Sequence, residues 1–299
     1  MERLDRLSAW LGAEVWVKRD DLTGLALSGN KVRKLEYHLA EALAAGCDTV
    51  ITCGGLQSNH CRATAFAARR LGLEPILLLR GTLPEVPDGN LLLDHLAGAR
   101  IVTCSPETYR RDRDVRLAAL AEEQRAAGRR PWVIPEGGSD ALGARGFVAA
   151  ARELRDQATA PFDAVVCALG SGGTLAGLAA GVDLGPLVGV AVCDDAAWFT
   201  PIVSRIAETL GADPARWQIL EGYQGPGYAV AEPVVWDLIA RLARTEGLLL
   251  DPVYTGKAMH GLVGEVRAGR LGGRLLFWHT GGAFGLFGRG REVAWPASE

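Results

Sequence analysis

Short apolar runs alternate with longer stretches in which apolar residues recur every three or four positions, and this two-beat pattern runs along most of the chain. Residues 14–18 alternate as a strand does and 20–30 read as a loop. From 31 to about 45, apolar residues fall at Val32, Leu35, Leu39 and Leu43 with helical spacing. The rhythm then repeats, with strands predicted at 49–53, 76–79, 101–104 and 131–135 and helices at 59–71, 91–97, about 113–127 and about 142–157. A second series sets strands at 164–169 and 188–193, with a last strand at 275–278 closing the sheet. Its helices are expected at 170–179 after a turn, then at 199–210, 232–246 and 256–266. Strands that are apolar throughout and joined by helices belong to parallel sheets covered on both faces. No repeat, low-complexity tract or long linker interrupts the series. The pattern therefore predicts two α/β sheet domains with a cleft between them, where such folds hold small molecules at strand C-termini.

Composition narrows the function classes. A chain of 299 residues with 48% hydrophobic content can build a large core. A net charge of −3 offers no field for nucleic acid or an anionic membrane. The charged start Met1-Glu2-Arg3-Leu4-Asp5-Arg6 lacks the apolar run of a signal peptide, and no apolar stretch of about 18 residues reads as a membrane span. A soluble, cytoplasmic protein is expected. The six cysteines show no CxxC spacing and the five histidines no HxxxH pair, so free thiols are expected and no metal centre. The 38 glycines cluster at particular turns, where they mark functional loops.

Four of those loops carry candidate chemistry. Ser28-Gly29-Asn30 supplies turn and cap chemistry to the helix that opens at Lys31, and a cation at a helix N-terminus is unusual because that end favours negative charge. Two readings stand there: Lys31, Arg33 and Lys34 form a solvated basic face, or Lys31 is an amine used covalently while Lys34, on the same face, meets a phosphate. Ser58, Asn59 and His60 follow the glycines at 54 and 55 at a helix entrance, which suits a carboxylate and equally suits simple N-capping. Gly170-Ser171-Gly172-Gly173-Thr174 follows an apolar strand and opens a helix, so its N–H groups can cradle a phosphate. It has neither the lysine of a P-loop nor a GxGxxG pattern. Thr280 ends a buried strand before two glycines, where its hydroxyl can meet a ring nitrogen or its own backbone. Tyr228 and Tyr254 either project into the cleft or pack.

Seven stretches in order resemble the pyridoxal-phosphate enzymes of fold type II, within them the 1-aminocyclopropane-1-carboxylate deaminase/D-cysteine desulfhydrase family, from about Leu11 to Phe287. They are Ser28-Gly29-Asn30-Lys31 with its Arg33-Lys34-Leu35-Glu36 continuation, Gln57-Ser58-Asn59-His60, Gly89-Asn90-Leu91-Leu92-Leu93, Pro135-Glu136-Gly137-Gly138-Ser139, the 170–174 loop, Asp251-Pro252-Val253-Tyr254-Thr255-Gly256-Lys257 and His279-Thr280-Gly281-Gly282. The resemblance implies a tryptophan synthase β-like fold of two open twisted parallel-sheet domains. The larger, cofactor-binding one would comprise 1–44 and 145–299, the smaller would be an insert at 45–144, and the cofactor would lie in the cleft. It also implies roles. Lys31 is the Schiff-base lysine, and Asn59 partners the cofactor's phenolic oxygen. Ser58 and His60 surround the substrate carboxylate, with Ser58 in reach of the Tyr254 phenol. Gly170, Ser171, Gly172, Gly173 and Thr174 form the phosphate cup with Lys34, and Tyr228 and Tyr254 are active-site phenols.

One departure separates the two activities. The deaminases carry a glutamate directly after the motif tyrosine, where this chain has Thr255, and Thr280 likewise offers the ring nitrogen only a hydroxyl. A neutral ring is a weaker electron sink, sufficient for a β-substituent that leaves readily and poorly matched to opening a cyclopropane. The expected activity is β-elimination from a small amino acid, D-cysteine to pyruvate, ammonia and hydrogen sulfide, by a homodimer. Deaminase action on aminocyclopropane carboxylate and sulfite release from cysteate are the alternatives in the same chemistry. A nucleotide-binding oxidoreductase is the alternative from another class.

Overall fold

The computed structural model describes residues 1–181, 183 and 185–292. The first stretch runs β1 (Glu2–Arg3), α1 (Asp5–Leu11), β2 (Glu14–Arg19) and α2 (Lys31–Ala44). Next come β3 (Thr49–Gly55), α3 (Asn59–Arg70), β4 (Glu74–Arg80), α4 (Gly89–Leu96), β5 (Arg100–Cys104), α5 (Pro106–Ala126) and β6 (Pro131–Val133). The remainder is α6 (Ala141–Gln157), β7 (Ala164–Leu169), α7 (Gly173–Ala179), β8 (Leu187–Ala191), α8 (Ala196–Thr209), β9 (Trp217–Leu220), α9 (Pro233–Glu246), α10 (Thr255–Arg267), β10 (Arg274–His279) and α11 (Ala283–Phe287).

Two sheets form among the described residues. The larger has the order β1-β2-β10-β7-β8-β9 and the smaller β5-β4-β3-β6; every pairing is parallel except β1 with β2. All strands of the smaller sheet fall between β2 and β7 in the chain. The last strand does not close the larger sheet as its sequence position suggested. β10 inserts between β2 and β7, pairing Phe277 with Val17 and Val166, and β9 forms the edge instead.

Both faces of the larger sheet are covered, which is why its strands read as continuous apolar runs. Along β10, Leu275 and Phe277 pack with Val15, Val17 and the apolar stripes of α9 and α10, while Leu276 and Trp278 face the opposite layer with Phe147, Leu175 and Phe199. Helix α2 buries Leu35 and Leu39 against Val50, Ala63 and Ile134 of the smaller unit, and Leu43 is exposed. Its other neighbour is α6, which approaches so closely that a Cβ on Gly146 would lie 2.0 Å from the Arg33 carbonyl oxygen. The lysine-bearing helix is thus clamped between the two units.

Three neighbouring parallel strands, β2, β10 and β7, end at one edge of the larger sheet. The loop after β2 leads to Lys31, β10 leads to Thr280 and β7 to Gly170, so strand order alone gathers residues that are far apart in sequence. In the smaller sheet, β3 leads to Ser58 and β4 ends at Arg80. No helix among the described residues is long and apolar enough to cross a membrane, and none of them form a group of three or more His, Cys, Asp or Glu able to hold a metal.

Candidate active site

The two strand edges enclose a cavity of about 610 Å³, of the size that holds small ligands. Lys31, Ser58, Asn59, His60, Tyr228 and Tyr254 line it, as do Gly170, Ser171, Gly172, Thr174 and Thr280.

The cations that open α2 do not form a solvated face. Arg33 is bound by Asp20 (2.7 and 2.9 Å) and Glu153 (2.9 Å), and Lys34 is fully buried. Lys31 faces the cavity, its Nζ donating to Asn30 Oδ1 at 3.1 Å. Removal from solvent pulls the Lys31 amine down to about 8, with Asp251 opposing and the Arg62 guanidinium assisting. A minority of this amine, but far more than of an ordinary lysine, is therefore neutral near physiological pH and nucleophilic. Asn30 makes no side-chain cap bond. It ties three stretches together instead: its Nδ2 donates to Thr174 Oγ1 (3.0 Å), its backbone N–H to the Thr280 carbonyl (3.0 Å), and its Oδ1 accepts from Lys31.

The 170–174 loop forms a cradle. Gly172 adopts φ +87°, which favours glycine, and a Cβ on Gly173 would stand 2.9 Å from both Lys34 Nζ and Ser139 Oγ. Lys34 Nζ donates to Ser139 Oγ (2.8 Å) and the Gly137 carbonyl (3.2 Å), and Ser139 Oγ meets Ser171 Oγ at 2.8 Å. Burial first, and Lys31 second, hold the Lys34 amine well below its ordinary range, a condition that a bound dianion reverses. Backbone N–H groups, three hydroxyls and this amine suit a phosphate.

At the opposite wall, Ser58 N-caps α3 by accepting from Cys61 N (3.2 Å), and it makes no bond to the Tyr254 phenol. That phenol meets Tyr228 at 3.1 Å. Burial raises both phenols, so each is a protonated donor at neutral pH. Asn59 Oδ1 accepts from Asn90 Nδ2 (3.0 Å), which turns the Asn59 amide nitrogen free as a donor and suits an anionic phenolic oxygen.

His60 differs from its expected part. The Thr52 hydroxyl donates to the Ile134 carbonyl (2.9 Å), so the proton shared with His60 Nε2 (2.8 Å) belongs to the imidazole, and buried Nδ1 is an acceptor without a partner. Burial, then Lys31 and Lys34, keep the ring neutral. A neutral acceptor attracts no carboxylate, so among these residues Ser58, Asn59 and the first N–H groups of α3 are the ones whose chemistry suits one.

Thr255 is also placed otherwise. It is fully buried outside the cavity lining, its hydroxyl donating to Asp251 Oδ1 (2.7 Å) and accepting from Asp251 N (2.8 Å). The Asp251 carboxylate further accepts from the N–H groups of Val253, Tyr254 and Thr255, so this acid is spent on its own turn. Of the two threonines, Thr280 lines the cavity and Thr255 does not. Thr255→Glu is expected to set a second carboxylate against Asp251 and to cost about 3–5 kcal/mol, the range for an uncompensated buried charge, read as a lower urea midpoint. An unchanged midpoint would show that the turn opens toward the cavity.

Lys257 in the same motif donates to the carbonyls of Val192 (3.1 Å), Gln224 (2.6 Å) and Gly227 (2.8 Å), and so fixes the loop that carries Tyr228. Sequence alone assigns Asn30 only turn and cap chemistry and Asn90, Ser139 and Lys257 no role, although each lies within one of the motifs above; it holds no sign of their partners.

An amine held partly neutral beside a phosphate cradle, at the meeting of two parallel sheets, defines a class. The chain belongs to the pyridoxal-phosphate dependent enzymes, whose family model matches residues 1–281, and its two-sheet architecture is that of fold type II. Within that class it is similar to a putative 1-aminocyclopropane-1-carboxylate deaminase of Thermotoga maritima, at 46% identity over 97% of this chain and 95% of the relative. It is 44% identical to the D-cysteine desulfhydrase of Salmonella newport over 96% of this chain and 92% of the relative. A solved structure described as an ACC deaminase homologue superposes with a TM-score of 0.88 at 41% identity, covering 97% of this chain and 91% of that one. Membership sets aside the nucleotide-binding oxidoreductase.

Proposed function

We propose that this enzyme is a lyase that eliminates the β-substituent of a small amino acid, D-cysteine in first place, to give pyruvate, ammonia and hydrogen sulfide. The observation that carries the reading is the Lys31 amine, lowered to about 8 in a cavity with a phosphate cradle at one end and a phenol pair at the other. Bound, pyridoxal phosphate supplies an electron sink for the pair left at Cα when its proton departs. The cradle and Lys34 hold the phosphate, Asn59 donates to the phenolic oxygen and Thr280 meets the ring nitrogen. Ser58 and the α3 N-terminus seat the substrate carboxylate, and Lys31 takes the Cα proton. The Tyr254 and Tyr228 phenols orient the substrate and donate near the leaving group.

Elimination is favoured over cyclopropane opening because Thr280 supplies the ring nitrogen with a hydroxyl and the Asp251 carboxylate is turned into its own backbone. A neutral ring stabilises less carbanion charge. The phenol pair is what favours the second reading, deaminase action on aminocyclopropane carboxylate, since ring opening requires a proton donor at the leaving carbon. Keto-acid formation from both enantiomers of cysteine, serine and cysteate and from aminocyclopropane carboxylate tests this: pyruvate from D-cysteine is expected to dominate, and a faster release of 2-oxobutyrate from the cyclopropane would overturn it.

The same reading takes 1–44 and 145–299 as the cofactor-binding unit and 45–144 as the smaller insert, supported by the sheet membership of β3 to β6. It includes the homodimer implied by family resemblance and a cytoplasmic location, which light scattering and cell fractionation test.

A further inference from the structure

Arg80 ends β4 at the edge of the smaller sheet that faces the cavity, opposite Gly55 in the sheet register. Its guanidinium carbon lies over two phenol rings, 4.7 Å from the Tyr228 ring centre and 5.3 Å from that of Tyr109. Cation–π contact of this kind requires none of the guanidinium N–H donors, which stay available to an acceptor. Among the described residues no carboxylate is within 4.0 Å of those donors. Arg113, in the same wall, is in the opposite state: Glu136 (2.5 Å) and Asp114 (3.2 Å) neutralise it, and Glu136 also accepts from the Tyr109 hydroxyl (2.8 Å). Arg110 and Arg205 are exposed at the rim. Arg80 is therefore a half-buried cavity cation whose donors are unspent. Gly55 lies beside it, a Cβ there standing 3.7 Å from Arg80 Nη2 and 3.5 Å from the Tyr228 hydroxyl, in ordinary van der Waals contact.

The rest of the cavity is allotted by its chemistry. The 170–174 cradle with Lys34 takes the phosphate, and Ser58 with the α3 N-terminus takes the substrate carboxylate. That allotment leaves the wall of Arg80, Tyr228 and Tyr109 for what remains of a small amino acid, its β-substituent. We propose that Arg80 receives the negative charge of the departing β-group, which fits the site to amino acids whose substituent leaves as a basic anion such as hydrosulfide; this rests on the elimination reading above. In that step Lys31 takes the Cα proton, and the electron pair of the Cα–H bond becomes the Cα–Cβ double bond. The Cβ–S bond breaks with its pair on sulfur, and the hydrosulfide accepts N–H bonds from Arg80 before taking a proton from solvent to leave as hydrogen sulfide. No electrons are gained or lost from the set.

The test compares D-cysteine with β-chloro-D-alanine on the holoenzyme, because chloride is a far weaker base and departs with little help. Arg80→Gln is expected to lower kcat/KM for D-cysteine by about 100-fold, the usual effect of removing a donor aimed at developing charge. It should lower that for β-chloro-D-alanine by less than about fivefold, and Arg80→Lys should regain about tenfold of the D-cysteine loss, since its charge is kept and its fork is lost. A measurement without turnover accompanies it: crystals of the holoenzyme soaked in sodium bromide should show an anomalous peak on the Arg80 guanidinium, absent in Arg80→Gln. An equal fall for both donors, as loss of carboxylate binding or of Tyr228 orientation would give, overturns the assignment, as does an unaltered D-cysteine rate or a bromide site elsewhere in the cavity with none at Arg80. A wild-type enzyme that releases pyruvate from neither donor overturns the elimination reading and this inference with it, a result distinct from any change in the variants.

Discussion

Lys31→Ala is expected to lower turnover by at least about 10⁴-fold and to abolish the visible band of a covalently held cofactor while leaving the protein folded. Losses of that size follow removal of a group that is both nucleophile and base. Lys31 makes one hydrogen bond in the described structure, to Asn30, and sits at the first position of α2, so its loss removes little packing. Borohydride reduction and digestion of the wild type should place a pyridoxyl adduct on Lys31; an adduct on Lys34 or Lys257, or a variant that keeps the band and near-normal rates, would refute the assignment. The pH dependence has a definite sign. The neutral amine is the nucleophile, so the rate at which apoenzyme captures pyridoxal phosphate should rise with pH through about 8 and then level off. A rise that continues past pH 10 would show an amine with its ordinary basicity.

How much of this was legible before any fold was seen depends on the range of the interaction. Local periodicity located most strands and helices, and the strand-to-loop transitions placed Lys31, Ser58, Gly170 and Thr280 at the ends of elements. Short or half-exposed elements escaped it. Helix α1 has only 7 residues, β9 is a 4-residue edge strand, and α5 begins at Pro106, capped by Ser105, in a charged stretch whose first turns show no apolar stripe. Strand order is a non-local property, and nothing in 275–278 distinguishes a closing strand from one that inserts between β2 and β7. The same limit governs the site. Thr255 was assigned to a ring nitrogen because the resembling deaminases carry a glutamate there, but a helix starts at this residue, and its side chain turns into the Asp251 turn. Arg80 carried no signal at all, since its two aromatic partners lie on α5 and on the loop before α9. Chemistry that depends on one loop could be read from the sequence, whereas chemistry that depends on two facing walls could not.

Lys34→Met separates holding the cofactor from holding the fold. The side chain is fully buried, and its amine, with two neutral acceptors and no carboxylate bound to it, is kept well below its ordinary range chiefly by burial. A buried ammonium without a counter-charge is costly, so an apolar chain of similar length should leave the apoenzyme as stable as before or slightly more so. A phosphate in the cradle changes the balance. It supplies the counter-charge, the lysine protonates, and a charge-assisted hydrogen bond forms in a site closed to solvent, where removing one partner costs about 2–5 kcal/mol. Affinity for pyridoxal phosphate should therefore fall by about 30-fold to several thousand-fold. The stabilisation that saturating cofactor gives to the wild type should largely vanish. Apoenzyme and holoenzyme melting curves read both effects at once. A variant that loses apoenzyme stability and keeps its cofactor affinity would mean that Lys34 serves the packing of α2 against the 136–139 turn and has no part in binding phosphate.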